Sequence, residues 1–186
     1  MKNLLILISL LISVSVNATV LEPFGFTMGM GLAEVTIEKD FGNNIYQLTP
    51  TNPSTEFSKY EGIISPTEGL CKITAVTNYI ITAENGAELR SQYSDLKKMI
   101  TAKHGKPSNH YDFLNSKKRK DKATTWMVGL EKKERRLQTF WNIGSAIISL
   151  KAEGISKDNG RILIIYEFEN FEDCKQITVQ KNLTVL

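Results

Sequence analysis

Most of the candidate binding residues of this chain lie in one basic stretch, residues 117–136. This stretch holds nine basic and three acidic residues, in a chain whose formal net charge is only +3. Clustered Lys and Arg side chains attract anionic groups. We therefore predict a binding surface for a negatively charged partner, formed by Lys117, Lys118, Arg119, Lys120 and, within their reach, Trp126. The alternative is a solvated loop that only keeps a sheet edge from aggregating.

Other side chains with catalytic potential do not form a recognisable motif. His104 and His110 are the two histidines of the chain. A metal site needs three or four ligands, and no Cys or acidic cluster joins this pair, so we predict no metal site. His104 is instead interpreted as a cation near the C-terminus of a helix. The chain lacks a G-x-S-x-G motif, and we predict no catalytic residue and no cofactor.

Several carboxylates near the end of the chain are interpreted as a solvated strand face: Glu167, Glu169, Glu172 and Asp173. The alternative is general acid-base work by one of them. A small envelope hydrolase that combines His104 or His110 with Glu167 or Glu169 is therefore the second functional hypothesis. The glycines Gly25, Gly29 and Gly31 do not follow a strand and lack the Lys-Ser/Thr of a phosphate loop.

The first eighteen residues indicate export. Lys2 gives a positive start, residues 4–16 are an apolar run interrupted only by serines, and Val16-Asn17-Ala18 is a small-x-small cleavage site. We predict a secretory signal peptide over residues 1–18, cleaved after Ala18, and a periplasmic or secreted location. The apolar run is shorter than the roughly 20 residues of a spanning helix. An uncleaved amino-terminal anchor is the alternative.

The predicted export also indicates the state of the two cysteines, Cys71 and Cys174. An even number of cysteines in an exported chain predicts one disulfide bond, whereas two buried thiols are the alternative. Neither cysteine lies near the predicted cleavage point, so the lipid-modified cysteine of a lipoprotein is not expected. Export also argues against nucleic acid as the partner, and no later stretch is long enough to span a membrane. We expect residues 19–186 to form a single globular domain.

One helix is predicted by its pattern and by signals at both ends. Leu89, Tyr93, Leu96 and Ile100 recur at helical spacing and form one apolar stripe. Asn85 and Glu88 have the spacing of a capping box, and Gly105 with Pro107 ends the pattern. We predict a long helix over residues 87–103. Residues 32–41 favour a short N-terminal helix that Gly42 ends, although Val35 and Ile37 also fit a strand.

The remaining pattern is one of strands. Residues 70–82 alternate, which places Cys71 on an inward face. Strands are also predicted at residues 111–114, 124–130, 137–141 and 147–153, and residues 161–168 form a hairpin with the last of these through Asp158-Asn159-Gly160. The second of these strands would place Trp126 and Val128 on one face. The sequence therefore predicts an α+β fold, an antiparallel sheet with one long helix packed on one face and a short N-terminal helix.

Two short motifs resemble a known group of proteins. Gly29-Met30-Gly31-Leu32-Ala33-Glu34-Val35, followed by Phe41-Gly42, is similar to the helix start of small exported bacterial α+β modules. These modules resemble the β-lactamase inhibitor protein fold and the small outer-membrane assembly lipoproteins. His104-Gly105-Lys106-Pro107 is similar to a helix end in the same group. The chain departs from them in its extra strands, its single cysteine pair and the absence of a lipidated cysteine.

This resemblance implies a protein-binding module of a bacterial cell envelope and transfers no functional residue. Together with the basic stretch, it favours an inhibitor, immunity factor or adaptor whose partner is another protein or an anionic envelope component. The hydrolase is the second hypothesis. A structural subunit of an envelope assembly is the third.

Overall fold

The computed structural model describes residues 21–115 and 121–175. Nine strands within these ranges form a single antiparallel sheet: β1 Thr36–Gly42, β2 Ile45–Thr49, β3 Lys59–Ser65, β4 Gly69–Val76, β5 Ile80–Ile81, β6 Asn109–Leu114, β7 Arg135–Asn142, β8 Ala146–Ser156 and β9 Asn159–Phe168. Their order across the sheet is β1-β2-β3-β4-β9-β8-β7-β6, and β5 pairs with the start of β9. The predicted residues 1–18 of the signal peptide lie outside the described ranges.

Two α-helices pack on one face of this sheet, α1 (Ala87–His104) and α2 (Trp126–Glu131). Both contribute to one hydrophobic cluster with alternate residues of β7, β8 and β9, including Trp141, Leu150 and Ile164. The predicted α+β class and the long helix are confirmed. Residues 171–175 are also helical. None of the helices within the described residues is long and apolar enough to cross a membrane.

Helix α1 buries the predicted stripe, but its N-terminus is capped differently from the prediction. Leu89, Tyr93, Leu96 and Ile100 are all buried. The N-cap is Gly86 in a left-handed conformation, so Asn85 and Glu88 do not form the expected box. Instead Thr82 Oγ1 accepts from the Glu88 amide at 3.2 Å, and the Glu88 carboxylate accepts from the Ala83 amide at 3.0 Å. The first hydrogen bond satisfies an amide that the helix leaves free, and the second fixes the loop before the helix.

The predicted strand over residues 124–130 is wrong, because this segment is helical. Residues Ala123–Thr125 form a 3-10 turn that continues into α2. Trp126, Met127 and Leu130 are buried there, which is the i, i+1, i+4 spacing of a helix face. The alternation of Trp126 and Val128 therefore did not reflect a strand.

The predicted N-terminal helix is reduced to one turn. Leu32–Glu34 is a 3-10 turn, in which the Glu34 carboxylate accepts from the Gly31 amide at 2.7 Å. Strand β1 begins two residues later and runs through Gly42, so the helix over the rest of this segment is wrong and the strand alternative holds. Short apolar segments of this kind fit both periods.

The terminal hairpin is confirmed, but its turn lies two residues earlier than expected. Ser156 pairs with Asn159, so Lys157 and Asp158 are the turn residues and Asn159-Gly160 belongs to β9. Gly160 is required there by packing. An added Cβ would lie 2.7 Å from Leu89 Cδ2 and 2.8 Å from the Glu153 carbonyl oxygen. The glycine thus allows α1 to approach the sheet.

The predicted disulfide bond between Cys71 and Cys174 is present, and both residues are buried. Cys71 lies in β4, and Cys174 lies in the short helical segment that follows β9. The bond joins residues 103 apart in sequence. It therefore fastens the end of the described chain to the centre of the sheet.

Candidate functional site

The candidate site is a cleft where two neighbouring strands separate, which we call the basic cleft. Strands β7 and β8 pair from Asn142 and Ile147 as far as Gln138 and Lys151. Both strands continue beyond this point, β7 to Arg135 and β8 to Ser156, without pairing to each other. The strands remain held on their other sides, by β6 and β9. The sheet is therefore split locally at this end.

The C-terminal end of α2 lies beside β8 at the split, and a glycine allows this approach. A Cβ added to Gly154 would lie 2.5 Å from the Glu131 amide nitrogen and 2.9 Å from Leu130 Cβ. Only a residue without a side chain permits such close backbone contact. Leu130 and Glu131 consequently line the cleft together with Leu137 and Ala152.

Basic side chains dominate the lining of the basic cleft, which has a volume of about 570 Å³. Glu131 and Glu153 are its acidic lining residues. Its five basic residues come from the turn after α2 and from three strands: Lys133, Arg135, Arg136, Lys151 and Arg161. The lining therefore has an excess of three positive charges. A concave surface of one sign concentrates counter-ions of the other.

Lys133 is held at the edge of the cleft by an unusual backbone conformation. Helix α2 ends in a Schellman motif, in which the Glu134 amide donates to the Gly129 carbonyl at 2.8 Å and the Lys133 amide donates to Leu130 at 3.0 Å. Lys133 occupies the left-handed position of this motif, with φ of 57°. Glycine is the usual residue there, because a Cβ is unfavourable at this φ. A strained lysine at this position is typical of a functional site.

Two of the cleft cations are partly neutralised by one carboxylate. Glu153 accepts from Lys151 Nζ at 2.8 Å and from Arg161 Nη2 at 2.9 Å. Burial alone would raise the pKa of Glu153, but the hydrogen bonds from Lys151 and Arg161 together hold it below its ordinary value. Glu153 is therefore ionised at neutral pH and orders these two cations. The net charge of Lys151, Arg161 and Glu153 together is +1.

Arg136 is the most prominent cation on the β7 side of the cleft. Its guanidinium lies 4.6 Å from the ring centre of Tyr111 and 5.6 Å from that of Phe140. Its Nε also donates to Gln138 Oε1 at 2.9 Å. Contact with two rings restrains the guanidinium while leaving it charged. Within the described residues, neither Arg136 nor Lys133 forms an ion pair.

Arg135 and the preceding Glu134 contact the residues on either side of residues 116–120. The side chain of Arg135 is 5% exposed and pairs with Asp112, at 2.6 Å, and with Asp121. On the other side of the segment, the Asn115 amide donates to the Glu134 carbonyl at 2.7 Å. Lys117, Lys118, Arg119 and Lys120 themselves lie outside the described residues. Asn115 and Asp121 are the described residues on either side of them. Asn115 is hydrogen-bonded to Glu134, just before β7, and Asp121 is paired with Arg135, the first residue of β7.

Trp126 supports this arrangement from within the core. It is 4% exposed, and its ring contacts the guanidinium groups of Arg90 and Arg135, which lie 5.5 and 5.6 Å from the ring centre. The face of the ring also packs against Gly86, where an added Cβ would lie 2.3 Å from Cε3. In this arrangement Trp126 positions Arg135 and joins the two helices. We therefore assign Trp126 a positioning role, since a ring that is 4% exposed offers little surface to a partner.

The residues of the second hypothesis are not brought together. His104 lies at the end of α1, where its cavity neighbours include Glu22 and Glu56. Glu167 points to the opposite face of the sheet and pairs with Lys72 at 3.0 Å. His110 Nδ1 lies 2.8 Å from Thr139 Oγ1. Within the described residues no three His, Cys, Asp or Glu side chains are grouped as metal ligands would be.

The basic stretch predicted from the sequence contains some of the residues that line the cleft but not all of them. Lys133, Arg135 and Arg136 lie in the basic stretch that was singled out, but Lys151, Glu153 and Arg161 lie in the predicted terminal hairpin. Their alternation with buried residues in β8 and β9 places them on one face, and this signal was available. No protein-family model, curated protein or solved structure shows significant similarity to this chain.

Proposed function

We propose that this chain is an exported binding protein of the cell envelope that holds a negatively charged partner at the basic cleft. The partner is another protein or an anionic envelope component. The observation that carries the proposal is that two cations of the lining, Lys133 and Arg136, form no ion pair within the described residues, whereas the other cations of the cleft are ordered by carboxylates. The disulfide bond supports an oxidising compartment.

A further group of basic residues stands close to the cleft residues in the sequence. Because Asn115 and Asp121 are bonded to Glu134 and to Arg135, the segment between them starts and ends beside the cleft. Its sequence contributes four further positive charges, those of Lys117, Lys118, Arg119 and Lys120. Such a concentration of one sign increases the association rate of an anionic partner and makes binding sensitive to salt.

Exposed apolar side chains flank the basic cleft. A combination of apolar and basic surface is typical of a protein interface. Phe113 pairs directly with Arg136 in the β6–β7 ladder and is 43% exposed. On the other side Ile155 lines the cleft and is 43% exposed, and Ile81 is 81% exposed in the neighbouring β5. Protein interfaces combine aromatic and Arg side chains with apolar contacts, whereas a purely solvated basic loop needs none.

An equilibrium binding assay with poly-L-glutamate as the anionic probe tests the proposal. The double variant Lys133→Ala/Arg136→Ala removes both unpaired cations. The control variant Lys39→Ala/Lys98→Ala removes the same charge from β1 and from the outer surface of α1. We expect about tenfold weaker binding for the cleft variant and less than about twofold for the control. Equal loss in the two variants would show that net charge, and not the cleft, determines binding.

A further inference from the structure

A second pocket, which we call the α1 cavity, is open to solvent beside the C-terminal half of α1 and shares no lining residue with the basic cleft. Its volume is about 170 Å³. An engineered apolar cavity of about 150 Å³ is large enough to bind benzene. The walls are formed by α1, β9, the loop before β3 and the N-terminal segment, through Phe24, Phe57, Leu96, Met99, Ile100 and Ile164. The α1 cavity therefore fits one compact apolar group.

Aromatic side chains fix the shape of its floor. The ring of Phe24 meets those of Phe57, Tyr60 and Tyr166 edge to face, with centroids 5.6, 5.0 and 6.0 Å apart. Phe24 also has a positive φ of 59°, which is uncommon for a residue with a side chain and directs the chain around the cavity. The apolar walls are thus preformed.

Three polar groups at the cavity have no partner within the described residues. The Tyr166 hydroxyl makes no hydrogen bond there, and burial raises the pKa of Tyr166 to about 12, which keeps the hydroxyl protonated. His104 Nε2 is inaccessible to solvent and has no hydrogen bond. Lys103 forms no ion pair with a described residue. A small number of polar groups around an apolar cavity is the usual composition of a ligand site.

The charges at the two ends of the α1 cavity differ in sign. Lys103 and His104 also line an adjoining, larger cavity with Asn142 and Ser145, which is polar and open to solvent. At the other end, Glu56 also lines a surface depression with Glu88 and Asp95. Glu22 is exposed at the edge of the larger cavity. A ligand with one anionic group is therefore oriented with that group toward Lys103.

We propose that the α1 cavity binds a small amphiphile, a carboxylate that carries one apolar group of about the size of benzene. The apolar group fills the space among Phe24, Phe57 and Ile164. The carboxylate lies at the shared opening, where Lys103 Nζ donates to it. This site is separate from the basic cleft and does not depend on the proposed function.

Titration of the full-length protein with phenylacetate, followed by amide NMR, tests this inference. We expect saturable shifts in residues 96–104 and in Ile164 and Tyr166. Phenylacetamide, which has the same shape without the charge, and acetate, which lacks the ring, should each bind at least about tenfold more weakly. Binding should also raise the pKa of His104, because the carboxylate favours its protonated form.

Two variants separate the cavity from general charge attraction. Lys103→Ala should weaken phenylacetate binding about tenfold, whereas Lys98→Ala, a cation of the same helix that does not line the cavity, should leave it unchanged. Melting temperatures confirm that both variants fold. The inference is overturned if phenylacetate gives no saturable shifts, or if Lys103→Ala and Lys98→Ala bind it equally well.

Discussion

Arg135 and Asp112 form an ion pair across the β6–β7 ladder, with Nη1 and Oδ1 2.6 Å apart. Arg135 is almost fully buried, while Asp112 is about one-third exposed. The same guanidinium pairs with Asp121 and contacts the ring of Trp126. Arg135 therefore joins β6, β7, α2 and the chain after the basic segment, and these are the elements that shape the basic cleft.

The first prediction concerns this ion pair. Arg135→Met keeps the apolar stem but leaves Asp112 without its cation, so we expect the free energy of unfolding to fall by about 2–3 kcal/mol. Asp121→Asn affects a residue that is 62% exposed and should cost less than about 1 kcal/mol. Urea unfolding of both variants measures the difference. Equal losses would contradict the central position assigned to Arg135.

The second prediction concerns the strained lysine of the cleft. Lys133→Gly relieves the positive φ and should stabilise the protein by about 0.5–1 kcal/mol, although it removes a cation. The same variant should bind poly-L-glutamate about two to five times more weakly. The neighbouring Lys132 has φ of −81°, and Lys132→Gly should destabilise the protein instead. A Lys133→Gly protein that is less stable than the wild type would show that the residue is not strained.

The third prediction concerns the disulfide bond. It closes a loop between residues 103 apart, so its loss should lower the free energy of unfolding by about 4–5 kcal/mol in the chain-entropy treatment. The double variant Cys71→Ala/Cys174→Ala and the wild type in reductant should unfold at similar urea concentrations. Adding reductant to the double variant should change nothing. An unfolding midpoint of the wild type that is insensitive to reductant would contradict this role.

The fourth prediction concerns His104. Burial, with a smaller contribution from the Lys103 cation, lowers the pKa of His104 below its ordinary value of 6.5. The unfolded chain then binds the proton more tightly, so this contribution to stability is lost as the pH falls below about 6.5. His104→Gln should reduce the pH dependence of the unfolding midpoint between pH 7 and pH 5.

NMR titration of the wild type in the absence of ligand measures the pKa of His104 directly. Glu22 and Glu56 are the carboxylates that line the cavities around His104, and His110 has a pKa lowered in the same direction. His110→Gln should therefore reduce the pH dependence of unfolding as well, and the double variant should reduce it by about the sum of the two effects. If His104 titrates above 6.5, these carboxylates and not burial determine its pKa.

The elements predicted correctly are those with a long and regular pattern. Helix α1 was predicted because four apolar residues recur over three turns, and β9 because buried residues alternate over its whole length. Helix α2 was missed because it has only six residues, and because its close approach to the sheet depends on Gly154, which is distant in sequence. Asn159-Gly160 has the composition of a turn, but Gly160 is needed for contact with Leu89, so packing and not turn chemistry explains it.

The basic stretch was found from composition, but the cleft could not be. The split between β7 and β8 depends on where their pairing stops, and no local motif marks this point. Lys151 and Arg161 become part of the site only because β8 and β9 pass beside α2. In the same way, the α1 cavity combines residues from four separate parts of the chain, so its apolar walls cannot be distinguished from ordinary core residues in the sequence.

Site-specific photocrosslinking in intact cell envelope tests whether the basic cleft holds the partner. A photoreactive residue placed at Gln138, in the cleft, is compared with one at Ser94, on the exposed surface of α1. We predict a discrete crosslinked product from Gln138 that disappears with Lys133→Ala/Arg136→Ala, persists with Lys39→Ala/Lys98→Ala, and is not formed from Ser94. Crosslinking from Ser94 alone, or a Gln138 product that survives the cleft substitutions, would contradict the proposed site.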